Sequence, residues 1–264
     1  MTSYFLTDSR TMVRRSFRRM RRYPSLTVFM ALIPVLLLLL FAFVFGGTLG
    51  AGLGAPTGGR EAYIAYVMPG ILLLTVVGTG QGIAISVAMD MSAGIIARFR
   101  TMAIARGAVL AGHVLGNVIQ TLMAAGLVLI VALLIGFRPT TGPIEWLAVI
   151  GLLALTSLAV STLCVALGLT TDSVETASNL PMFLMILLFV SSAFVPVASM
   201  PEPLQTFARI NPITPIVETV RVLLYGGSVG SDGVLAIGWC IVITGASYLW
   251  AMRLFERLPS RAAA

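Results

Sequence analysis

The sequence contains no lysine, one histidine, two cysteines and few charges of either sign. Charged residues make up 10% of the chain, where a soluble domain carries roughly 25%. So few charges cannot hydrate the exterior of a folded chain this size, which excludes a water-soluble enzyme. The high apolar content excludes a disordered segment. Without lysine there is no GxxxxGK[ST] loop, whose lysine must reach the phosphates, so an ATP motor has to reside on another polypeptide. No HExxH is present, and intramembrane hydrolysis by a zinc helix finds no support. His113 stands alone, and Cys164 and Cys240 lie in apolar runs with no CxxC spacing. A metal site is therefore not expected, and the thiols read as small hydrophobes rather than a disulfide.

What is present is apolar. Hydrophobic residues account for 58% of the 264 positions, and the mean hydropathy is +1.00. A bilayer-crossing helix needs about 20 such residues. Six stretches qualify: 25–46, 62–89, 108–137, 146–169, 177–198 and 233–252. None alternates as the short strands of an outer-membrane barrel do. The expected fold class is an all-α polytopic membrane protein with six transmembrane helices. The first stretch is too long for a signal-peptide core of roughly 7–15 residues and is expected to stay in place.

All 17 basic residues are arginine, and the net charge is +7. On so apolar a chain this charge orients spans rather than binding nucleic acid. Seven arginines precede the first stretch; Arg98, Arg100 and Arg106 follow the second; Arg253, Arg257 and Arg261 close the chain. Six crossings put those 13 on one side, against Arg60, Arg138, Arg209 and Arg221 on the other. The positive-inside rule then places both termini in the cytoplasm, with the protein in the plasma membrane. There is no internal repeat and no loop long enough for a soluble domain. The organisation reads as a cytoplasmic interfacial helix (1–24), one membrane domain (25–253) and a cytoplasmic tail (254–264).

Several segments carry functional signals. Val13, Phe17 and Met20 fall at helical spacing among arginines, as in an amphipathic helix on the inner leaflet. That helix serves as an orientation signal and lipid anchor, as a platform for a cytoplasmic partner, or as both. In the second loop Ile95, Phe99 and Met102 share one helical face while Arg98 points elsewhere. Two readings stand there: a lever for a soluble subunit, or an ordinary interfacial loop. Between Ser199 and Ser231, Pro201, Pro203, Pro212 and Pro215 break an apolar segment into pieces at 204–210 and 216–225. These are too short to cross and suit a re-entrant hairpin or a surface-lying element. Glu218 and Arg221, three apart, can pair there. Gly78 and Gly82 form a GxxxG that permits close helix approach. His113, Asn117 and Gln120 make a polar stripe that suits an interhelical hydrogen-bond seam. Asp90, Glu145, Asp172, Glu175 and Asp232 all sit at span ends, which weighs against an ion-coupled carrier with a midplane carboxylate.

The segment Gly94-Ile95-Ile96-Ala97-Arg98-Phe99-Arg100, followed by 105–110 (ARGAVL), resembles the cytoplasmic loop of type-2 ATP-binding-cassette exporter permeases, the daunorubicin-resistance branch in particular. The Arg-rich start, Pro24, the 43–47 run (FVFGG), and 191–196 (SSAFVP) leading to 211–215 (NPITP) carry the same resemblance. One departure is Ala103, where relatives commonly have proline. The resemblance implies a multidrug-efflux permease: two copies, as a homodimer or with a homologous partner, bound to two copies of a separate ATPase that holds ATP and Mg. The cargo would be a hydrophobic drug, natural product or lipid. This chain would hold no cofactor and perform no catalysis itself. The resemblance also makes Gly94, Ile95, Arg98, Phe99, Arg100 and Arg106 a coupling helix. It makes Phe41, Phe45, Gln81, Phe189 and Phe194 candidates for the substrate path, and Asn211, Pro212, Pro215, Glu218 and Arg221 an outer gate. An ion-coupled carrier and a non-transporting membrane scaffold stand as alternatives.

Overall fold

The computed structural model describes residues 24–47, 59–93, 106–171 and 173–257. Among them every regular element is helical. In chain order these are α1 (Pro24–Leu40), a π-helical turn (Phe41–Phe45), α2 (Arg60–Ser92), α3 (Arg106–Leu134), α4 (Pro143–Leu169), α5 (Val174–Asn179) and α6 (Met182–Phe189). A short 3-10 turn (Val197–Ser199), α7 (Glu202–Ile210), α8 (Ile213–Tyr225) and α9 (Gly230–Arg257) follow. Five helical stretches are long and apolar enough to cross a bilayer: Val28–Phe45, Arg60–Ser92, Leu110–Leu134, Pro143–Leu169 and Gly230–Phe255. The interfacial segment around Val13, Phe17 and Met20, residues Gly94, Ile95, Arg98, Phe99 and Arg100 of the second loop, Asp172, and the tail beyond 257 lie outside the described residues.

The stretch 177–198 is not one helix. Pro181 has no N–H to continue the ladder, so the chain divides into α5 and α6, although Leu180 keeps helical angles, and then turns at Val190. Ser173 starts α5 as its N-cap, its Oγ accepting from Thr176 N at 3.1 Å. Val174–Phe189 spans about 24 Å at helical rise, short of the ~30 Å hydrocarbon core. The outer pieces are longer than the sequence suggested, starting at Glu202 and Ile213. Gly226, at φ +86°, ends α8 in a conformation that favours glycine.

α2 is the central staff. Of its most apolar window 72% is buried, against 22% for α1 and for α9. It packs along α1, α3 and α4 and also meets α5, α6 and α8, while α9 lies against α4 and α8. Close approach depends on glycines whose Cβ would strike backbone: at Gly168 it would lie 2.8 Å from Ala84 O, and at Gly70 2.7 Å from Ala193 O. The GxxxG pair behaves unevenly. Gly82 is covered by Met30 of α1, whereas nothing approaches the Cβ direction of Gly78. A buried polar seam ties α2, α3 and α4. Thr79 and Thr121 hydroxyls meet at 2.6 Å, Ser157 Oγ donates to Thr121 Oγ1 at 3.0 Å, and Asn117 Nδ2 donates to Ser161 Oγ at 2.8 Å. Of the predicted polar stripe, Asn117 alone joins that seam among the described residues. His113 Nε2 instead lies 3.3 Å from Asp90 Oδ2, joining the ends of α2 and α3 that flank the second loop. Cys164 and Cys240 are free and buried.

Candidate functional site

Four of the five predicted path residues come together near the Arg60 end of α2. Phe41 and Phe45 lie on the π turn, where wider i→i+5 bonding re-aims side chains at the end of α1. Phe189 ends α6, and Phe194 sits in the turn that follows. Ring centroids run Phe45 to Phe41 at 6.0 Å, Phe41 to Phe194 at 5.3 Å and Phe194 to Phe189 at 5.0 Å, the last pair stacked. Tyr63 of α2 meets Phe41 edge-on at 6.3 Å. Phe194 is buried, while Phe189 and Phe45 are 49% and 38% exposed. The row is therefore anchored at its centre and open at both ends, a surface suited to flat apolar groups. Gln81, the fifth candidate, is elsewhere: its Nε2 donates to Ser178 O at 2.7 Å, fastening α5 to α2.

Behind the row stands a polar latch built from the predicted gate residues. Arg221 of α8 donates from Nη1 to Glu218 Oε1 at 2.6 Å, and from Nη2 to Ser192 O at 2.8 Å and Tyr66 O at 3.3 Å. Its guanidinium lies 4.2 Å over the Tyr66 ring, and Tyr66 OH donates to Ser192 O at 3.1 Å. One arginine thus joins α8, α2 and the turn that positions Phe194; its planar fork allows this where an ammonium could not. Asn211 Nδ2 donates to Leu187 O at 2.6 Å and Val190 O at 2.8 Å, and its Oδ1 accepts from Ile213 N at 3.0 Å. Asn211 therefore holds the α7–α8 corner against the end of α6. Pro212 caps α8 and Pro215 is buried in its first turn. Thr140 and Thr141 hydroxyls fasten the far end of α8 by donating to Tyr225 O and Leu224 O.

Arg60, which the sequence marked only as a loop charge, packs 4.5 Å over the Phe43 ring and donates from Nη2 to Ile135 O at 3.1 Å. Tyr63 and Tyr66 were also not singled out; aromatic residues one turn apart on one span were the available signal. Arg106 is the one predicted coupling residue among the described positions, where it begins α3.

A cavity of about 250 Å³ lies between α2, α4, α6, α8 and α9, with walls that are wholly apolar. Among the described residues no group of three or more His, Cys, Asp or Glu side chains could hold a metal ion.

A central staff of apolar helix, flanking spans with outward apolar faces and a buried polar seam define a polytopic helical membrane protein. The chain belongs to the ABC-2 type transporter family, whose sequence model matches residues 7–225. It is therefore a membrane permease subunit of an ABC transporter, a family that works with an ATPase subunit. It is 28% identical over 213 residues to a daunorubicin resistance ABC transporter permease protein of Streptomyces coeruleorubidus, covering 80% of this chain and 73% of that one. It is 24% identical over 187 residues to a protein of Mycobacterium tuberculosis named as a probable doxorubicin resistance ABC transporter permease, covering 69% of this chain and 68% of that one.

Proposed function

We infer that this permease exports a hydrophobic drug, natural product or lipid, with the Phe45–Phe41–Phe194–Phe189 row forming part of the route. The observation that carries the reading is the row itself: four rings in contact, open at both ends, with Phe189 and Phe194 on the elements that the Arg221 and Asn211 latch ties to α8. Relatives named for daunorubicin and doxorubicin resistance support a drug-like cargo. α5, α6 and the turn to Phe194 make a sixth, interrupted crossing, and α7–α8 dip into the outer leaflet as a re-entrant pair. The arginine distribution puts both termini in the cytoplasm of a plasma-membrane protein. Two copies, identical or homologous, work with two ATPase subunits. These hold the ATP and Mg, and this chain contributes no catalysis. The loop from Gly94 through Ile95, Arg98, Phe99 and Arg100 to Arg106 receives the stroke, and the His113–Asp90 pair braces the helix ends on either side of it.

Export tests this. Phe41→Ala with Phe194→Ala should lower drug efflux at least tenfold while ATPase co-purification stays intact. Leu249→Ala, at a 59% exposed side chain toward the opposite end of the bundle, is the control. Unchanged efflux in the double variant removes the row from the route.

A further inference from the structure

The apolar cavity lies on the other flank of α6 from the exposed stripe at the row's end. Met182, Ile186 and Phe189 form that stripe and are well exposed. Phe183 and Leu187 face the cavity instead, about a hundred degrees round the helix at 3.6 residues per turn. The exposed side chains of the cavity wall are Phe183 on α6 and Trp239 on α9, so its mouth opens between two helices that barely meet. Leu73 and Val76 on its wall lie about 20–25 Å along α2 from Arg60, close to the middle of the hydrocarbon core. A headgroup cannot sit at that depth, and wholly apolar walls offer water no partner. An apolar cavity of 150 Å³ in a soluble protein already stays dry and takes up apolar guests; this one is larger and opens where the solvent is hydrocarbon.

We propose that the cavity is a binding site for the tail of a bilayer phospholipid acyl chain, which enters between Phe183 and Trp239 and wedges α6 against α8. Depth and apolarity choose a chain end over a polar ligand. The mouth's position, off the Met182–Phe189 stripe, chooses the bilayer over a second copy seated on the aromatic row. Ile213 and Ile216 of α8 share the cavity with Leu184 and Leu187 of α6. The chain end thus fills the same corner that Asn211 spans with hydrogen bonds. The site stands whether or not the aromatic row carries cargo.

The test uses the full chain in phosphatidylethanolamine/phosphatidylglycerol nanodiscs doped with a phospholipid bearing a diazirine near one chain terminus. Photolysis and peptide mass spectrometry should place adducts on buried wall residues Leu184, Ile216 and Cys240. Ala159→Phe, filling the cavity from α4, should cut those adducts at least fivefold and leave adducts at exposed Leu147 and Ile150 of the same helix unchanged. Ile243→Trp fills the cavity from α9 and serves if the first variant does not fold. Adducts confined to exposed residues, or undiminished by a folded filling variant, overturn the proposal. So does ready disulfide formation between copies carrying Trp239→Cys, which would seat a second copy over the mouth.

Discussion

Asn211→Ala should strongly destabilise the outer corner. The side chain is 3% exposed and makes three bonds, at 2.6, 2.8 and 3.0 Å. A buried neutral hydrogen bond contributes about 1 kcal/mol net, and a stranded partner costs about 1–3 kcal/mol. With the carbonyls of Leu187 and Val190 stranded together, the loss should be about 3–4 kcal/mol. At ~2–4 °C per kcal/mol for a chain of this size, the melting temperature of the detergent-purified protein should fall by roughly 6–16 °C. Asn211→Asp separates shape from chemistry. It keeps the acceptor for Ile213 N and nearly the same volume, yet turns an acceptor oxygen toward two carbonyls. It should therefore be at least as damaging as alanine, and export by either variant should fall with stability. An aspartate variant that melts like the parent, or an alanine variant shifted by less than about 2 °C, would refute the reasoning.

Other expectations follow from the same geometry. Thr121→Val keeps the shape but removes a hydroxyl that donates to Asn117 O and meets those of Thr79 and Ser157; thermal denaturation should show a loss of about 1–2 kcal/mol, since hydrogen bonds between membrane helices average about 0.6 kcal/mol each. Gly168→Ala places a Cβ 2.8 Å from Ala84 O and should cost about 1–3 kcal/mol through forced separation of α2 and α4. Gly126→Ala, which meets nothing within 4 Å, should be neutral or stabilising by up to about 1 kcal/mol in the same melt. Arg221→Lys keeps the charge but not the fork over Tyr66 and Ser192, so efflux assays should show reduced export with normal binding of the ATPase subunit.

Five long apolar helices were legible because an 18-residue apolar window is a strong local signal. The break at Pro181 was not, since Met182–Phe189 and its neighbours are as apolar as an unbroken span and one proline barely alters that average. Phe41, Phe45, Phe189 and Phe194 were named by family resemblance, but their contact depends on a π turn and a post-helical turn that no period reveals. Gln81 shows the limit of that route: the same resemblance placed it on the path, and its amide instead fastens α5. The polar seam was half visible. Asn117 stood out as polar, whereas Thr79, Thr121, Ser157 and Ser161 are common in membrane helices and find one another only after packing. Gly70 and Gly168 matter through distant residues, so the local GxxxG at Gly78 and Gly82 drew attention that the packing does not repay at Gly78.

We infer that this chain is the membrane half of an ATP-driven exporter whose motor is a separate subunit. The most direct test is drug efflux from proteoliposomes containing the permease with and without its ATPase partner, with ATP present and absent. Concentrative efflux is expected only when both subunits and ATP are present, and none on imposing a proton gradient. Concentrative transport by the permease alone, driven by a pH gradient without nucleotide, would contradict that inference.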